Sequence, residues 1–219
     1  MRILDLFCGA GGASMGYHRA FPDAEIVGVD INPQPRYPFT FVQGDAMTYP
    51  LDGFDFVHAS PPCQRYSDLA RRNRNAHAWP DLVGPIRDRL RPTGLPFVIE
   101  NVEGAPLDDP VMICGTMFPG LRVLRHRLFE CHGFAPVQPA HPNHPLVFTH
   151  DKRKAHYGLL DQDTAFVQVT GGGNCTTANK RAAMDVPWMT GAEANEAIPP
   201  AYAEWIGRQL AFQKPDISA

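Results

Sequence analysis

The stretch Arg2-Ile3-Leu4-Asp5-Leu6-Phe7-Cys8-Gly9-Ala10-Gly11-Gly12 decides the fold. A short, mostly apolar run ends in a glycine cluster, and the small-residue segment Ala13–Ala20 behind it has helical texture. That is the outline of a buried strand, a tight turn and a helix. Glycine tolerates positive φ and has no side chain, so such a turn lets backbone approach a ligand closely. Outward from it, Glu25–Asp30 reads as a second strand closed by an acid, and Thr40–Val42 as a third, ahead of Gly44-Asp45. Phe54–Ala59 and Pro96–Glu100 read as a fourth and fifth. Asp81–Leu90 has helical spacing, with Leu82, Val83, Ile86 and Leu90 on one side, and helical spacing returns at Ala178–Met184 and Pro200–Phe212. Strands alternating with helices predict an α/β domain whose parallel sheet carries helices on both faces.

Composition narrows the class. The chain has 219 residues, 44% hydrophobic and 20% charged, and holds no apolar run long enough for a membrane helix. Its beginning does not resemble a secretory signal, so a soluble cytoplasmic protein is expected. Five cysteines at wide, irregular spacing (Cys8, Cys63, Cys114, Cys131, Cys175) argue for reduced thiols, four of them small buried hydrophobes and one reactive. The net charge of -3 excludes binding to nucleic acid through bulk charge and requires positive charge to be concentrated locally. From Arg65 to Arg91 seven arginines (65, 71, 72, 74, 87, 89, 91) face Asp68, Asp81 and Asp88, and this run is expected to contact phosphates.

Four constellations carry chemistry. The glycine turn and Asp30, 18 residues beyond Gly12, suit a nucleoside ligand, because an acid at that strand end reaches ribose hydroxyls. Asp45 is placed to accept a hydrogen bond from an adenine amino group, or simply to cap a turn. Ser60-Pro61-Pro62-Cys63-Gln64 lies just past the fourth strand, on the edge where open α/β sheets bind ligands. Its two prolines stiffen the backbone before the thiol. Glu100-Asn101-Val102 ends the fifth strand and faces the same edge, where a carboxyl can protonate or hydrogen-bond a heterocycle. Arg125-His126-Arg127, if extended, turns two guanidinium groups to one side, suited to an anion or a polarised carbonyl.

In this order the four pieces resemble the DNA (cytosine-5)-methyltransferase family, in its compact bacteriophage or prophage form. Asp5–Gly12 looks like the cofactor motif, Pro61-Pro62-Cys63-Gln64 the nucleophile motif, Glu100-Asn101-Val102 the glutamate motif and Arg125-His126-Arg127 the arginine motif. Ala197-Ile198-Pro199-Pro200 with Trp205-Ile206-Gly207 resembles the closing motif, which packs beside the first. The resemblance implies a Rossmann-like S-adenosylmethionine-dependent methyltransferase fold with a small, loop-rich target-recognition segment. It divides the chain into a core at 1–130, a recognition segment at 131–175 and a C-terminal part, 176–219, returning to the core. Cys63, Glu100, Arg125 and Arg127 are then the catalytic residues. Phe7, Gly9, Ala10, Gly11, Gly12, Asp30, Ile31, Asp45, Ala46 and Pro61 would hold S-adenosylmethionine and its product S-adenosylhomocysteine. Pro62, Gln64, Arg65, Asn101, Arg71 and Arg72 would meet the substrate. Double-stranded DNA is the implied partner, a cognate restriction endonuclease a further one, and the chain would act as a nucleoid-associated monomer.

The sequence departs from the family pattern at Val123, where a glutamine is usual, and at Asn195-Glu196 before the closing motif. Only about 40 residues (131–170) remain for target recognition, which implies a short or relaxed target. Three other readings stay open: an RNA cytosine-5 methyltransferase, a non-catalytic relative, and transfer of a modified group. Cys131, His132, His141 and His144 can be imagined as zinc ligands, but their spacing matches no standard finger and no metal is expected.

Overall fold

The first strand, β1 (Arg2–Leu6), sorts its side chains to the two faces of a sheet by alternation. Ile3 joins one hydrophobic cluster with Tyr17, Phe56, Val98, Phe129, Tyr202 and Ile206, whereas Leu4 and Leu6 join another with Val27, Val29, Val57, Ile86, Leu90 and Ile99. The computed structural model describes residues 1–67, 76–145, 147–148, 165–169 and 175–214. A seven-stranded sheet runs β3 (Thr40–Gln43), β2 (Glu25–Asp30), β1, β4 (Phe56–Ala59), β5 (Phe97–Asn101), β7 (Arg127–His132), β6 (Val111–Ile113). The first five are mutually parallel; β7 lies antiparallel to both of its neighbours. The sheet is therefore mostly parallel, as expected. Two further short strands, β8 (Val147–Phe148) and β9 (Phe166–Val167), pair apart from it.

Helices cover both faces. On the Ile3 side lie α1 (Gly12–Ala20) and α5 (Pro200–Gln213), and on the Leu4 side α2 (Val83–Leu90). A Cβ at Gly12 would come within 2.3 Å of the Ile198 carbonyl, and one at Gly16 within 2.2 Å of the Pro200 carbonyl, so the C-terminal helix rests directly on the first one. Helices α3 (Thr177–Met184) and α4 (Gly191–Glu196) add a third apolar cluster around Val167, Val169, Met184 and Met189. Among the described residues no helix is long and apolar enough to cross a membrane.

The elements read from the sequence stand within a residue or two, with two instructive shifts. Helix α2 starts at Val83 rather than Asp81, because the Asp81 carboxylate is engaged outside it by the Tyr66 hydroxyl and by Arg65. Strand β7 runs on through His132, across the expected boundary at 130.

Candidate active site

Strand order reverses between β1 and β4, the point at which open α/β sheets bind ligands. A cleft of about 430 Å³ opens there, within the size range of small-molecule sites. Its near wall is the glycine turn. Phe7 stands at φ 58°, a left-handed conformation that costs a non-glycine residue on the order of 1–3 kcal/mol, and Gly9 follows at φ 48°. Asp30 holds this turn: its Oδ2 accepts the Gly9 N–H at 3.0 Å and its Oδ1 accepts the Asn32 N–H at 2.9 Å. A Cβ on Gly9 would meet nothing within 4 Å, so the peptide faces open space. Ala10, Gly12, Ile31, Asp45, Ala46 and Pro61 line the cleft as well, and Ile31 keeps 67% of its surface exposed, an apolar face for a flat ring. Gly11 does not line it. Its φ of 83° starts α1, and a Cβ there would strike Pro38 at 2.8 Å.

The far wall carries Pro62, Cys63, Gln64, Glu100 and Arg127. Arg127 Nε pairs with Glu100 Oε1 at 3.1 Å. Burial pushes the Cys63 thiol above its usual range; the Arg127 charge opposes the rise, Glu100 adds to it, and Arg125 opposes it in turn. Glu100 is likewise raised, because its burial outweighs Arg127 and a hydrogen bond from Ser60. Behind Ser60 runs a buried chain: His58 Nε2 lies 2.9 Å from Ser60 Oγ, and His58 Nδ1 lies 2.9 Å from the Tyr17 hydroxyl. Tyr17 on α1 thus supports the setting of Glu100 on β5.

Several expected site residues serve backbone instead. The Asn101 amide donates to the Pro61 carbonyl at 2.8 Å and its oxygen accepts the Val102 N–H, tying the Pro-Pro-Cys loop to β5. Arg125 donates to the carbonyls of Val169 (2.8 Å) and Asn195 (2.7 Å), and burial lowers its pKa to about 9. Its Nε stays buried without a partner, and the residue borders a second cleft of about 270 Å³ shared with Tyr66, His126, Arg127 and Gln168. Arg65 donates to the Trp79 carbonyl and pairs with Asp81. Arg71 and Arg72 lie outside the described residues.

The arginine run requires a correction. Arg87 forks onto Glu130 and also reaches Asp108, Arg89 donates to the carbonyls of Ala46 and Tyr49, and Arg91 pairs with Asp108. These three are tied into the fold by acceptors distant in sequence, and Arg74 of the same run lies outside the described residues. The imagined zinc set is corrected too. Cys131 packs on the core, and His132 stacks on Phe97 at 4.2 Å and meets Glu130, both away from His141 and His144.

Sequence reading missed the acids on the third side of the cleft, Glu193 and Glu196. Thr190 and Glu193 cap α4 reciprocally, and the Arg36 fork holds the Glu193 carboxyl down at about 2. The Thr-x-x-Glu spacing was a readable signal for that helix start. Among the described residues that line the cleft, six are carboxylic acids (Asp5, Asp30, Asp45, Glu100, Glu193, Glu196) and Arg127 is the one basic residue. Asp5 Oδ1 is buried without a partner there, and burial lifts its pKa to about 7. This acid-rich lining fits a ligand that carries positive charge.

Residues 1–109 match the family model of the C-5 cytosine-specific DNA methylase. The chain is 27% identical over 143 residues to the Type II methyltransferase M.HgiCI of Herpetosiphon aurantiacus, covering 59% of this chain and 34% of that protein. It is 30% identical over 95 residues to trans-aconitate 2-methyltransferase of Yersinia pestis (strain Pestoides F), covering 40% of this chain and 34% of that one. The chain thus matches about a third of the length of these curated relatives. The solved structure of the Entamoeba histolytica methyltransferase EhMeth shares its fold, with a TM-score of 0.62 over 97% of this chain and 98% of that one at 11% identity.

Proposed function

Since the chain belongs, through residues 1–109, to the C-5 cytosine-specific DNA methylase family, we propose that it methylates carbon 5 of a cytosine in double-stranded DNA. The observation that carries this reading is the single cleft in which Cys63, Glu100 and Arg127 face the glycine turn and Asp30. S-adenosylmethionine, when bound, supplies an electrophilic methyl group on a cationic sulfonium, and the acid-rich wall suits that charge. Phe7, Gly9, Ala10, Gly12, Asp30, Ile31, Asp45, Ala46 and Pro61 would hold it.

The protein's own residues divide the remaining work. The target base must leave the duplex stack, because its ring carbons are inaccessible within it. Cys63, as thiolate, adds to carbon 6 and pushes electron density to carbon 5. Glu100 holds a proton at the ring nitrogen, a role its raised pKa serves, since it stays protonated to higher pH than an exposed carboxyl. Arg127 neutralises both the thiolate and the developing charge on the ring carbonyl. After methyl transfer, loss of the carbon 5 proton returns the electron pair that breaks the carbon 6–sulfur bond and frees Cys63. Arg125 and Asn101 act as positioning residues, holding the segments that bear Arg127 and Cys63.

The test is methyl transfer from tritiated S-adenosylmethionine to duplex DNA and to tRNA, together with covalent trapping on DNA that contains 5-fluorocytosine. Label in duplex DNA and a trapped adduct that Cys63→Ser fails to form are expected. Transfer to tRNA alone, or an adduct that survives Cys63→Ser, overturns the reading.

A further inference from the structure

Four side chains outside the cleft converge on one point. Cys114, His126, His141 and His144 each present a metal-binding atom, and all four atoms lie within 4.8 Å of one another. His144 Nε2 stands 3.1 Å from His126 Nε2, 3.1 Å from His141 Nε2 and 3.6 Å from Cys114 Sγ. Hydrogen bonding cannot account for this. An imidazole nitrogen has either one proton or one lone pair, so it cannot serve three convergent partners. A central ion can. Zinc–nitrogen bonds of about 2.0–2.1 Å and a zinc–sulfur bond of about 2.3 Å, set tetrahedrally, put nitrogens roughly 3.3 Å apart and nitrogen and sulfur roughly 3.6 Å apart.

We propose that Cys114, His126, His141 and His144 form a structural metal site, with zinc as the ion that suits one thiolate and three imidazoles. The fold supplies the ligands in a definite way. Antiparallel pairing sets Ile113 opposite Arg127, so the next residues outward, Cys114 and His126, meet across the end of β6 and β7. His141 and His144 arrive three residues apart on the loop beyond β7. Supporting contacts are in place: His126 Nδ1 lies 3.1 Å from Glu103 Oε2, which directs Nε2 to the ion, and the turn that carries Cys114 is held by its N–H donating to Met117 Sδ at 3.3 Å and its carbonyl accepting the Met117 N–H at 3.0 Å. With four protein ligands the site is closed, and no position remains for a reacting water. Its effect is to pin the loop 133–145 and to fix His126, the neighbour of both Arg125 and Arg127.

The experiment measures metal in the full-length, untagged chain and needs no methylation substrate. Elemental analysis is expected to find about one zinc per chain. After chelation and dialysis, titration with cobalt(II) should give the intense visible bands of a tetrahedral site with a thiolate charge-transfer band, saturating at one equivalent. Chelation should lower Tm by roughly 5–10 °C. His144→Ala and His141→Ala, on an exposed loop, should bind cobalt at least tenfold more weakly, and Cys114→Ser should lose the charge-transfer band. If the wild-type chain neither retains zinc nor gives a thiolate–cobalt spectrum, the proposal fails. It fails equally if the His141→Ala/His144→Ala double variant keeps wild-type zinc content.

Discussion

The two ends of the central sheet are built by different means. Around β1 and β2 one wall of the cleft is built within 30 consecutive residues: the buried strand, the glycine turn, α1 and Asp30. Around β6 and β7 the partners are distant in sequence. Arg127 reaches back to Glu100, Arg125 to Val169 and Asn195, and His126 to Glu103 and His144. The match to the family model stops at residue 109, before β6 begins. A local device survives as a sequence pattern, whereas an assembled one needs the whole fold around it. If that contrast is right, damage at the assembled end should cost chemistry without unfolding the sheet, and damage where the two ends meet should cost stability.

The sharpest break is Arg127→Gln. The guanidinium pairs with the buried Glu100 and is the largest influence drawing the Cys63 thiol towards ionisation. Removing a charge of this kind from an enclosed site typically costs about 10²–10³-fold in turnover. Steady-state kinetics should show that loss in kcat, with near-wild-type far-UV circular dichroism. Alkylation of Cys63 by iodoacetamide should shift to higher pH, because the thiolate is favoured less. An alkylation profile unchanged by the substitution would show that Arg127 does not act on the thiol.

The same contrast explains what could be read in advance. Strands β1 to β5 and helices α1, α2, α3 and α5 were legible because each is a periodic apolar run with punctuation. Strand β6 has three residues, too few for a period, so the place of Cys114 beside His126 was invisible and the cysteine passed for packing. The arginine run misled for a similar reason. Charge excess counts residues but not partners, and the acceptor for Arg87 is Glu130, 43 residues away. At the site, Cys63 and Glu100 could be picked out by their place at strand ends. The acids of α4 could not, because only the docking of the C-terminal segment brings them to the cleft.

That docking can be weighed next. Gly16 faces α5 so closely that a Cβ would lie 2.2 Å from the Pro200 carbonyl and 2.7 Å from the Glu204 nitrogen, both backbone atoms that cannot swing aside. Gly16→Ala must therefore part the two helices. Even after the gain in helix propensity, a net loss of about 1–3 kcal/mol is expected in urea unfolding. Gly84→Ala on α2, where a Cβ meets nothing within 4 Å beyond its chain neighbours and Pro85 follows, should instead change stability by less than about 0.5 kcal/mol. Equal effects at the two glycines would mean that the α1–α5 contact does not join the halves.

The smallest effect probes the seam between the two ends. His58, fully buried on β4, meets Tyr17 of the locally built end on one side and Ser60, beneath Glu100, on the other. Burial lowers its pKa from 6.5 to about 3. Above pH 6.5 neither folded nor unfolded chain holds the proton, and the neutral imidazole contributes its full stabilisation. Between 6.5 and 3 the unfolded chain takes the proton and the folded one refuses it, so that contribution drains away at up to about 1.4 kcal/mol per pH unit. Asp5 works in the opposite sense, since its folded pKa of about 7 lies above the ordinary value of 3.8, and it adds stability as pH falls through that window. The wild-type curve alone therefore hides both groups. The comparison with His58→Gln separates them, because Asp5 is common to both proteins. The variant should be less stable at pH 7.5, and the gap should narrow steadily below pH 6.5. A gap that stays constant down to pH 5 would mean that His58 accepts its proton within the fold, and the buried chain from Tyr17 to Glu100 would then have to carry a charge.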